Sequence, residues 1–283
     1  MSGKSINVAI IGCGRIAGHH CSSITKTNGL KLVAVCDLVI SKAKEYGKQY
    51  DIPYFTNYHK MFSSLNNIDL VAVCTPSGMH YEHSKDIINN YCKNIVIEKP
   101  TFMNPKQLIE INELSLKNNI KYFPVFQNRY NKAVKYVRNA ISRNMLGAIN
   151  LINIQVRWHR PKRYYDLAKW RGTFSHDGGA LTNQGIHHID LLRYFGGEIE
   201  RVNCTMNTYN LDIEVENAVI STFIFKNGAM GSLEITTAAY PDDYEASITI
   251  VGSKGLAKIG GLAVNELQIF SPNNNICKDM SED

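Results

Sequence analysis

Two short segments carry side chains suited to moving a proton and to stabilising charge on an oxygen atom. Glu98-Lys99-Pro100 ends the apolar run Ile95–Ile97, which is typical of a buried parallel strand. Asn183, His187 and Asp190 follow one another at spacings of four and three, so they share one face of a predicted helix. A histidine can accept an alcohol proton near neutral pH, and a lysine can hydrogen-bond the oxygen that becomes negative. The neighbouring His188 points elsewhere on such a helix and is expected to be structural.

A glycine-rich turn near the start of the chain is typical of a dinucleotide site. Gly12-x-Gly14-x-x-Ala17 follows the strand-like run Asn7–Ile11 and opens a helix. The first glycine allows a tight turn, the second lets a pyrophosphate approach the backbone, and Ala17 lets helix and strand pack closely. Asp37 ends the next strand about 20 residues later, where its carboxylate would accept from ribose hydroxyls and repel a 2′-phosphate. The pattern predicts NAD rather than NADP; the alternative is a glycine turn with no cofactor.

Two other segments are predicted to leave strands at their carboxyl ends. These are Thr75–His80 and Glu98–Pro100. Ligands of an open doubly wound sheet lie beyond those ends, so both segments are expected to face the nicotinamide position. The alternatives are a plain turn at Thr75-Pro76 and a solvated lysine paired with Glu98. The position of Lys99 favours a functional lysine, in a turn that Pro100 would stiffen, with a cis bond as one option.

The elements that must position these residues fall into two predicted domains. Residues 1–125 alternate apolar runs with helical patterns, which predicts an N-terminal Rossmann domain with a doubly wound parallel sheet that binds NAD. From residue 126 to residue 283 the pattern predicts a C-terminal α+β domain with a large, mostly antiparallel sheet, for substrate binding and oligomerisation. Ile149–Arg160 alternates apolar and polar residues, as a strand with one buried face does. The apolar Ala218–Phe225 predicts subunit packing on the other face of this sheet, in a homodimer or homotetramer.

Composition excludes several classes of protein. The chain has 283 residues and a net charge of +6, but no run of lysines or arginines typical of nucleic-acid binding. No apolar stretch approaches the roughly 20 residues of a membrane span, and no signal-peptide pattern follows Met1, so a cytoplasmic protein is expected. The seven cysteines form no Cys-x-x-Cys pair, which favours reduced, mostly buried thiols and no metal site.

The glycine loop, Glu98-Lys99-Pro100 and Gly185-Ile186-His187 resemble the glucose–fructose oxidoreductase/inositol dehydrogenase (Gfo/Idh/MocA) family. The resemblance implies that Lys99 and His187 are catalytic and flank the oxidised carbinol. A closer resemblance is to bacterial UDP-N-acetyl-glucosaminuronate 3-dehydrogenases. It rests on Thr75–His80, Gln127–Arg129, Trp158–Asp166, Trp170–Gly172, Asn183-Gln184 and Gly260–Gln268. Those enzymes oxidise the sugar 3-hydroxyl during synthesis of surface-polysaccharide sugars, and some regenerate NAD with 2-oxoglutarate.

Motif and resemblance together give two predicted sets of site residues. The predicted cofactor set is Gly12, Cys13, Gly14, Arg15, Ile16, Asp37, Thr75, Pro76, Ser77, His80, Glu98, Lys99, Gln127, Trp170 and Arg171. The predicted substrate set is Lys99, Arg129, Arg160, Arg163, Tyr164, Tyr165, Asn183, Gln184 and His187. The arginines are candidates for carboxylate or diphosphate contacts, with surface ion pairs as the competing interpretation. Tyr164 and Tyr165 are candidates for packing on the sugar or the uracil, with core tyrosines as the competing interpretation. Many relatives have aspartate where Asn183 stands, so this chain places an amide four residues before His187.

Two other functions remain open at this point. A dehydrogenase of a free sugar or inositol would keep the fold and the chemistry, although the arginine-rich Arg157–Arg163 suits a charged substrate better. A non-catalytic NAD-binding sensor or scaffold would need neither Lys99 nor His187. The resemblance also implies a region of several dozen further residues in relatives, so a C-terminal domain that is short, either naturally or by incompleteness, is expected.

Overall fold

The computed structural model describes residues 5–272 of the chain. The chain forms two compact units, Met1–Val125 and Phe126–Asp283, and each has its own hydrophobic core. No helix in the described part of the chain is long and apolar enough to cross a membrane.

The described part of the first unit contains six short strands and five helices. In chain order they are β1 (Ile6–Ile11), α1 (Ala17–Lys26), β2 (Leu30–Cys36), α2 (Ile40–Tyr50), β3 (Tyr54–Phe55), α3 (Tyr58–Ser64), β4 (Leu70–Val73), α4 (His80–Tyr91), β5 (Asn94–Ile97), α5 (Pro105–Lys117) and β6 (Tyr122–Pro124). A 3₁₀ turn, Ser77–Met79, leads into α4.

The six strands form one parallel sheet in the order β3-β2-β1-β4-β5-β6. Successive residues of β1 point to opposite faces: Val8 and Ile10 belong to one buried cluster, Ala9 and Ile11 to another. The predicted doubly wound Rossmann sheet is therefore confirmed. The strand order reverses between β1 and β4: β2 and β3 lie on one side of β1, and β4 to β6 lie on the other. Such sheets bind dinucleotides at this point, beyond the carboxyl ends of the strands.

The described part of the second unit contains three helices and seven strands. They are α6 (Lys132–Ser142), β7 (Ile149–Arg157), α7 (Lys162–Asp166), α8 (Ile186–Gly196), β8 (Ile199–Asn207), β9 (Ala218–Phe225), β10 (Met230–Thr236), β11 (Glu245–Gly252), β12 (Gly255–Gly260) and β13 (Glu266–Pro272). A π-helical turn, Ala180–Gln184, leads into α8.

The seven strands form one sheet in the order β13-β12-β11-β7-β10-β9-β8. All neighbours are antiparallel except β7 and β10, so the predicted mostly antiparallel sheet is confirmed. Ile152, Ile154 and Val156 of β7 are buried, in the alternation that the sequence predicts, and they pack in one cluster with Val134 of α6 and Leu191 of α8. The helices therefore cover one face of the sheet.

The opposite face of this sheet carries large apolar side chains that are exposed. Ile220 of β9 and Met230 of β10 each expose half or more of their surface, and Leu151 of β7, directly opposite Met230, is also exposed. Val202 and Met206 of the edge strand β8 are exposed too, but they pair with the buried Phe223 and Val219 and so lie on the helix-covered face. Single exposed apolar residues are ordinary, but a contiguous group on one sheet face is typical of an interaction surface.

The six described cysteines are free thiols. Cys13, Cys21, Cys36 and Cys74 are buried, Cys92 and Cys204 are exposed, and Cys277 lies outside the described residues. Burial raises the pKa of Cys13 to about 12 and that of Cys21 to about 11. These buried thiols are therefore protonated at neutral pH and act as small apolar core residues.

Candidate active site

The glycine turn between β1 and α1 leaves open the side from which a pyrophosphate would approach. Gly12 has φ +96°, and a Cβ there would lie 2.6 Å from the backbone carbonyl of Cys74, so only glycine fits. A Cβ on Gly14 would meet nothing within 4 Å, so the backbone at Gly14 is open to a ligand. Arg15 and Ile16 are exposed beside it, while Ala17 is fully buried. The turn fits the phosphates of a dinucleotide.

Asp37 follows β2 and is fixed by two backbone groups. Its Oδ2 accepts a hydrogen bond from the Cys13 N–H (2.8 Å) and its Oδ1 accepts one from the Val39 N–H (2.8 Å). The bond to Cys13 joins the carboxylate to the glycine turn, and carboxylate oxygens can each accept a second hydrogen bond. This arrangement fits a ribose hydroxyl at Asp37.

Lys99 lies in a turn that begins where β5 ends. The neighbouring Glu98 is buried; its Oε1 accepts a hydrogen bond from His20 Nε2 (2.8 Å) and its Oε2 accepts one from the Lys99 N–H (3.1 Å). Burial alone would raise the pKa of Glu98, but His20 and Lys99, through their hydrogen bonds and charges together, outweigh it and hold the pKa below its usual value. The Lys99–Pro100 bond is cis. A buried carboxylate thus fixes the backbone of the turn that carries the lysine.

His80 connects this turn to the one after β4. The side chain is 1% exposed, and its two ring nitrogens each lie 2.8 Å from a carbonyl oxygen, that of Pro100 for Nδ1 and that of Thr75 for Nε2. Burial lowers its pKa. The ring thus contacts the backbone of both turns and helps to position them. The predicted contact of His80 with the cofactor stays a prediction.

The helical segment of the second unit that carries His187 begins at two glycines. Gly178 and Gly179 have φ +75° and +87°, and the carboxylate of Glu216 lies where a Cβ on Gly179 would be. Glu216 Oε1 accepts a hydrogen bond from the Leu181 N–H (2.8 Å) at the start of the π-helical turn, where a negative charge is favourable. Burial raises the pKa of Glu216. The two glycines therefore allow an acidic cap on the segment.

A polar network runs outward from the buried Asp177. Its Oδ2 accepts a hydrogen bond from the Gly172 N–H (2.8 Å), and its Oδ1 accepts one from the Asn183 side-chain amide. Gln184 Nε2 in turn donates to Asn183 Oδ1 (3.1 Å) and to the Tyr164 hydroxyl (3.0 Å). The structure thus brings together three of the predicted substrate residues, on a buried carboxylate that the sequence argument did not single out.

His187 is buried at the start of α8, beside residues of the turn 127–130. Its Nε2 lies 3.2 Å from the side-chain nitrogen of Gln127, and its ring meets Phe126 edge to face. An amide N–H directed at a ring nitrogen favours the neutral imidazole, which is the form that can act as a base. One turn later, Asp190 accepts two hydrogen bonds from Arg129 (2.7 and 2.6 Å). Arg129 is therefore engaged as a structural partner of α8.

The other predicted substrate residues are placed differently. Arg160 Nη1 donates to Asp243 Oδ1 (2.7 Å), so its charge is already paired, and Arg163 is exposed on α7. The Tyr165 hydroxyl lies 3.4 Å from that of Thr237, and burial raises the Tyr165 pKa. Arg171 packs on the ring of Trp170. Within residues 5–272, no group of three or more His, Cys, Asp or Glu side chains is placed to hold a metal ion.

Three residues of these surroundings were missed in the sequence. They are His20, Asp177 and Glu216, which contact Glu98, Asn183 and the start of the helical segment, each across 6 to 78 positions of the chain. The Gly178-Gly179 pair was the one available signal, because a pair of glycines before a helix indicates a close approach by another group.

The first unit has the fold of a dinucleotide-binding oxidoreductase. Its features are an open glycine turn, an acidic residue at the end of β2, and a parallel sheet whose strand order reverses between β1 and β4. Two family models match: "Oxidoreductase family, NAD-binding Rossmann fold" over residues 6–126, and "GFO/IDH/MocA C-terminal domain" over residues 134–258. The chain belongs to the GFO/IDH/MocA family and is an NAD-dependent dehydrogenase.

Two similar solved structures are WlbA dehydrogenases in complex with NADH and UDP-GlcNAcA. That from Bordetella pertussis has 31% identity and a TM-score of 0.91, over 95% of this chain and 82% of its own. That from Chromobacterium violaceum has 33% identity and a TM-score of 0.91, over 96% and 79%. The D-glucoside 3-dehydrogenase of Escherichia coli is 30% identical over 70% of this chain, and the match spans 56% of the relative.

Proposed function

We propose that this protein oxidises the 3-hydroxyl of UDP-N-acetyl-glucosaminuronate (UDP-GlcNAcA), with NAD as hydride acceptor, in the synthesis of surface-polysaccharide sugars. The observation that carries the proposal is the likeness to two WlbA dehydrogenases with bound NADH and UDP-GlcNAcA, along nearly the whole chain. The similarity to the D-glucoside 3-dehydrogenase, whose name states oxidation at a sugar 3-position, is a second, independent support.

Lys99 and His187 are the proposed catalytic residues. Bound NAD supplies the acceptor for the hydride from C3. His187 accepts the proton of the 3-hydroxyl at Nε2, where the substrate hydroxyl replaces the Gln127 amide that lies 3.2 Å away and favours the neutral ring before substrate binds. Lys99 donates a hydrogen bond to the same substrate oxygen and stabilises its developing negative charge. The Glu98 carboxylate, which accepts a hydrogen bond from the Lys99 N–H, holds the backbone from which Lys99 extends.

Neutral donors and acceptors in the second unit are the proposed contacts to the sugar. Asn183, Gln184 and Tyr164 form one hydrogen-bonded chain, so each holds its neighbour in position before substrate arrives. Amides and hydroxyls of this kind match the hydroxyl and N-acetyl groups of a hexosamine, because they can both donate and accept.

The cofactor contacts are proposed from the first unit. Gly12, Gly14 and the start of α1 would hold the pyrophosphate, and Asp37 would accept from the ribose hydroxyls and disfavour NADP. Thr75, Pro76, Ser77 and Glu98 would lie along the nicotinamide half, as the resemblance implies. We also propose 2-oxoglutarate as the acceptor that regenerates NAD.

The exposed apolar face of the second unit is the proposed oligomer contact. It presents Leu151, Ile220 and Met230, and burying it in a homodimer or homotetramer would remove this apolar surface from water. Light scattering on the purified protein should give a molar mass that is two or four times the 31.8 kDa of one chain. Ile220→Lys should lower the measured mass toward that of the monomer.

The experiment that tests the function is incubation of the purified protein with UDP-GlcNAcA, NAD and 2-oxoglutarate, with the sugar product followed by mass spectrometry. A 3-keto product two mass units below the substrate is expected. Turnover of a free sugar or inositol in place of UDP-GlcNAcA would favour the polyol dehydrogenase alternative. Tight NAD binding with no turnover of any of these would favour the sensor.

The catalytic assignment is tested by Lys99→Ala and His187→Ala. Each should lower turnover by roughly 10²- to 10⁴-fold while NAD affinity stays near that of the wild type, because general acid–base groups act on the reacting proton. Lys106→Ala, an exposed lysine in the first turn of α5, is the matched control and should retain full activity. Normal turnover by both test variants would remove them from the mechanism.

A further inference from the structure

One guanidinium in the second unit has no anionic partner. Arg171 is partly buried, and no group of the described residues accepts a hydrogen bond from its guanidinium, whose Nε is fully buried and unsatisfied. It packs instead on two aromatic rings, with Cζ 4.2 Å from the centre of Tyr164 and 4.7 Å from that of Trp170. Aromatic faces stabilise a cation but leave its N–H groups unsatisfied, so the site lacks an acceptor.

The neighbouring arginines are already neutralised. Arg160 also packs near Tyr164, at 5.6 Å, but its Nη1 is bonded to Asp243. Arg129 makes a bidentate pair with Asp190. Among these three cations, Arg171 alone offers a charge and a free edge of N–H donors. A planar guanidinium with one free edge fits one carboxylate, whereas diphosphate sites gather several cations or backbone amides.

Tyr164 connects this cation to the proposed reaction site. Its ring packs on Arg171, and its hydroxyl accepts the hydrogen bond from Gln184, three residues before His187. The neutral chain Tyr164–Gln184–Asn183 thus lies between the unpaired cation and the helix that carries the proposed base. A sugar held by these three hydrogen-bonded residues would have one end toward Arg171 and the other toward His187.

We propose that Arg171 binds the uronate carboxylate and selects the sugar acid over its neutral counterpart. This inference rests on the proposed function. It differs from the cofactor role that the resemblance implies for Arg171, and it assigns carboxylate recognition to none of Arg129, Arg160 and Arg163. The carboxylate would satisfy the guanidinium that the protein leaves without an acceptor, and a substrate with a neutral CH₂OH at C6 would not.

The test compares binding of UDP-GlcNAcA and UDP-GlcNAc, in the presence of NAD, by titration calorimetry. The wild type should prefer the acid by roughly 10- to 100-fold, the range for a charge-assisted hydrogen-bonded pair. Arg171→Met should lose that preference through weaker binding of the acid alone, and Arg171→Lys should retain part of it. Arg143→Met, an exposed arginine at the end of α6, is the matched control and should bind both ligands as the wild type does.

The controls separate this inference from its rivals. Equal losses for UDP-GlcNAcA, UDP-GlcNAc and UDP in Arg171→Met would place the diphosphate at Arg171, and a loss of NAD affinity would restore the cofactor role; either result overturns the proposal. So does an unchanged preference in that variant. A wild type that prefers the acid but forms no 3-keto product would refute the proposed reaction and leave the carboxylate site supported. A wild type that binds neither sugar nucleotide would refute both.

Discussion

His188 should make the second unit sensitive to acid. It follows the proposed base directly, yet it is fully buried, with its ring edge-on to Trp158 at 5.5 Å. Neither ring nitrogen has a hydrogen-bond partner within the described chain. Burial lowers the pKa of His188 to about 3, with a smaller contribution from His187. The folded protein therefore keeps the ring neutral at pH values where an unfolded histidine, with a pKa of about 6.5, binds a proton.

The size of the effect follows from that difference in pKa. Because the folded pKa is the lower one, the unfolded state takes up an extra proton as the pH falls below about 6.5. Stability is then lost at about 1.4 kcal/mol per pH unit until the pH approaches 3. Between pH 6.5 and 4.5 the loss is about 2 kcal/mol, since the slope is only half its full value at pH 6.5. His188→Phe removes the proton uptake and keeps a ring against Trp158, so the variant should gain about 2 kcal/mol over the wild type across this interval.

Urea unfolding followed by tryptophan fluorescence measures this directly. Both tryptophans, Trp158 and Trp170, lie in the second unit, so the signal reports that unit. A packing defect of the phenylalanine would shift the free energy of unfolding equally at every pH, whereas the proton effect changes the slope. His176→Phe, at a partly exposed ring bonded to the Ser175 hydroxyl, is the control and should follow the wild-type curve. Parallel curves for His188→Phe and the wild type would refute the reasoning.

Three further outcomes are expected. Asp37→Ala should weaken NAD binding and reduce the preference for NAD over NADP, as measured by titration with both cofactors. An unchanged ratio of the two affinities would contradict the assignment of Asp37 to the ribose. Gly12→Ala should abolish NAD binding, because its Cβ would lie 2.6 Å from a backbone carbonyl, while Gly29→Ala, at a similar φ in open space, should lower only the melting temperature. Gln127→Met should raise the pKa of the acidic limb of kcat/KM against pH, because it removes the N–H that favours neutral His187; an unmoved limb would make the contact merely structural.

The sheet of the first unit could be predicted because its strands are apolar runs separated by helical patterns. Val8–Ile11 and Leu70–Val73 are such runs, and both are strands in the structure. β3 and α3 were missed because a strand of two residues and a helix of seven are too short to show a period. In the second unit, β13 was missed because Glu266–Pro272 is an edge strand whose side chains are mostly exposed.

The site could be predicted only in part. Helical spacing placed His187 and Asp190 on one face, which meets the turn 127–130 in the structure. It also directed His188 away from that face, and His188 is buried in the structure. The partners of those residues could not be found in this way, since no periodic pattern relates Asp177 to Asn183 or His20 to Glu98. The contacts of His80 with the carbonyl oxygens of Thr75 and Pro100 are likewise tertiary, and no sequence pattern indicates them.

The most direct test of the central claim is the fate of the hydrogen at C3 of the sugar. Wild-type protein is incubated with UDP-GlcNAcA deuterated at C3 and with NAD, then denatured, and the released cofactor is weighed by mass spectrometry. The account predicts reduced cofactor that carries one deuterium, together with a 3-keto sugar that has lost it. Reduced cofactor without deuterium, or a sugar oxidised with its C3 label retained, would contradict it.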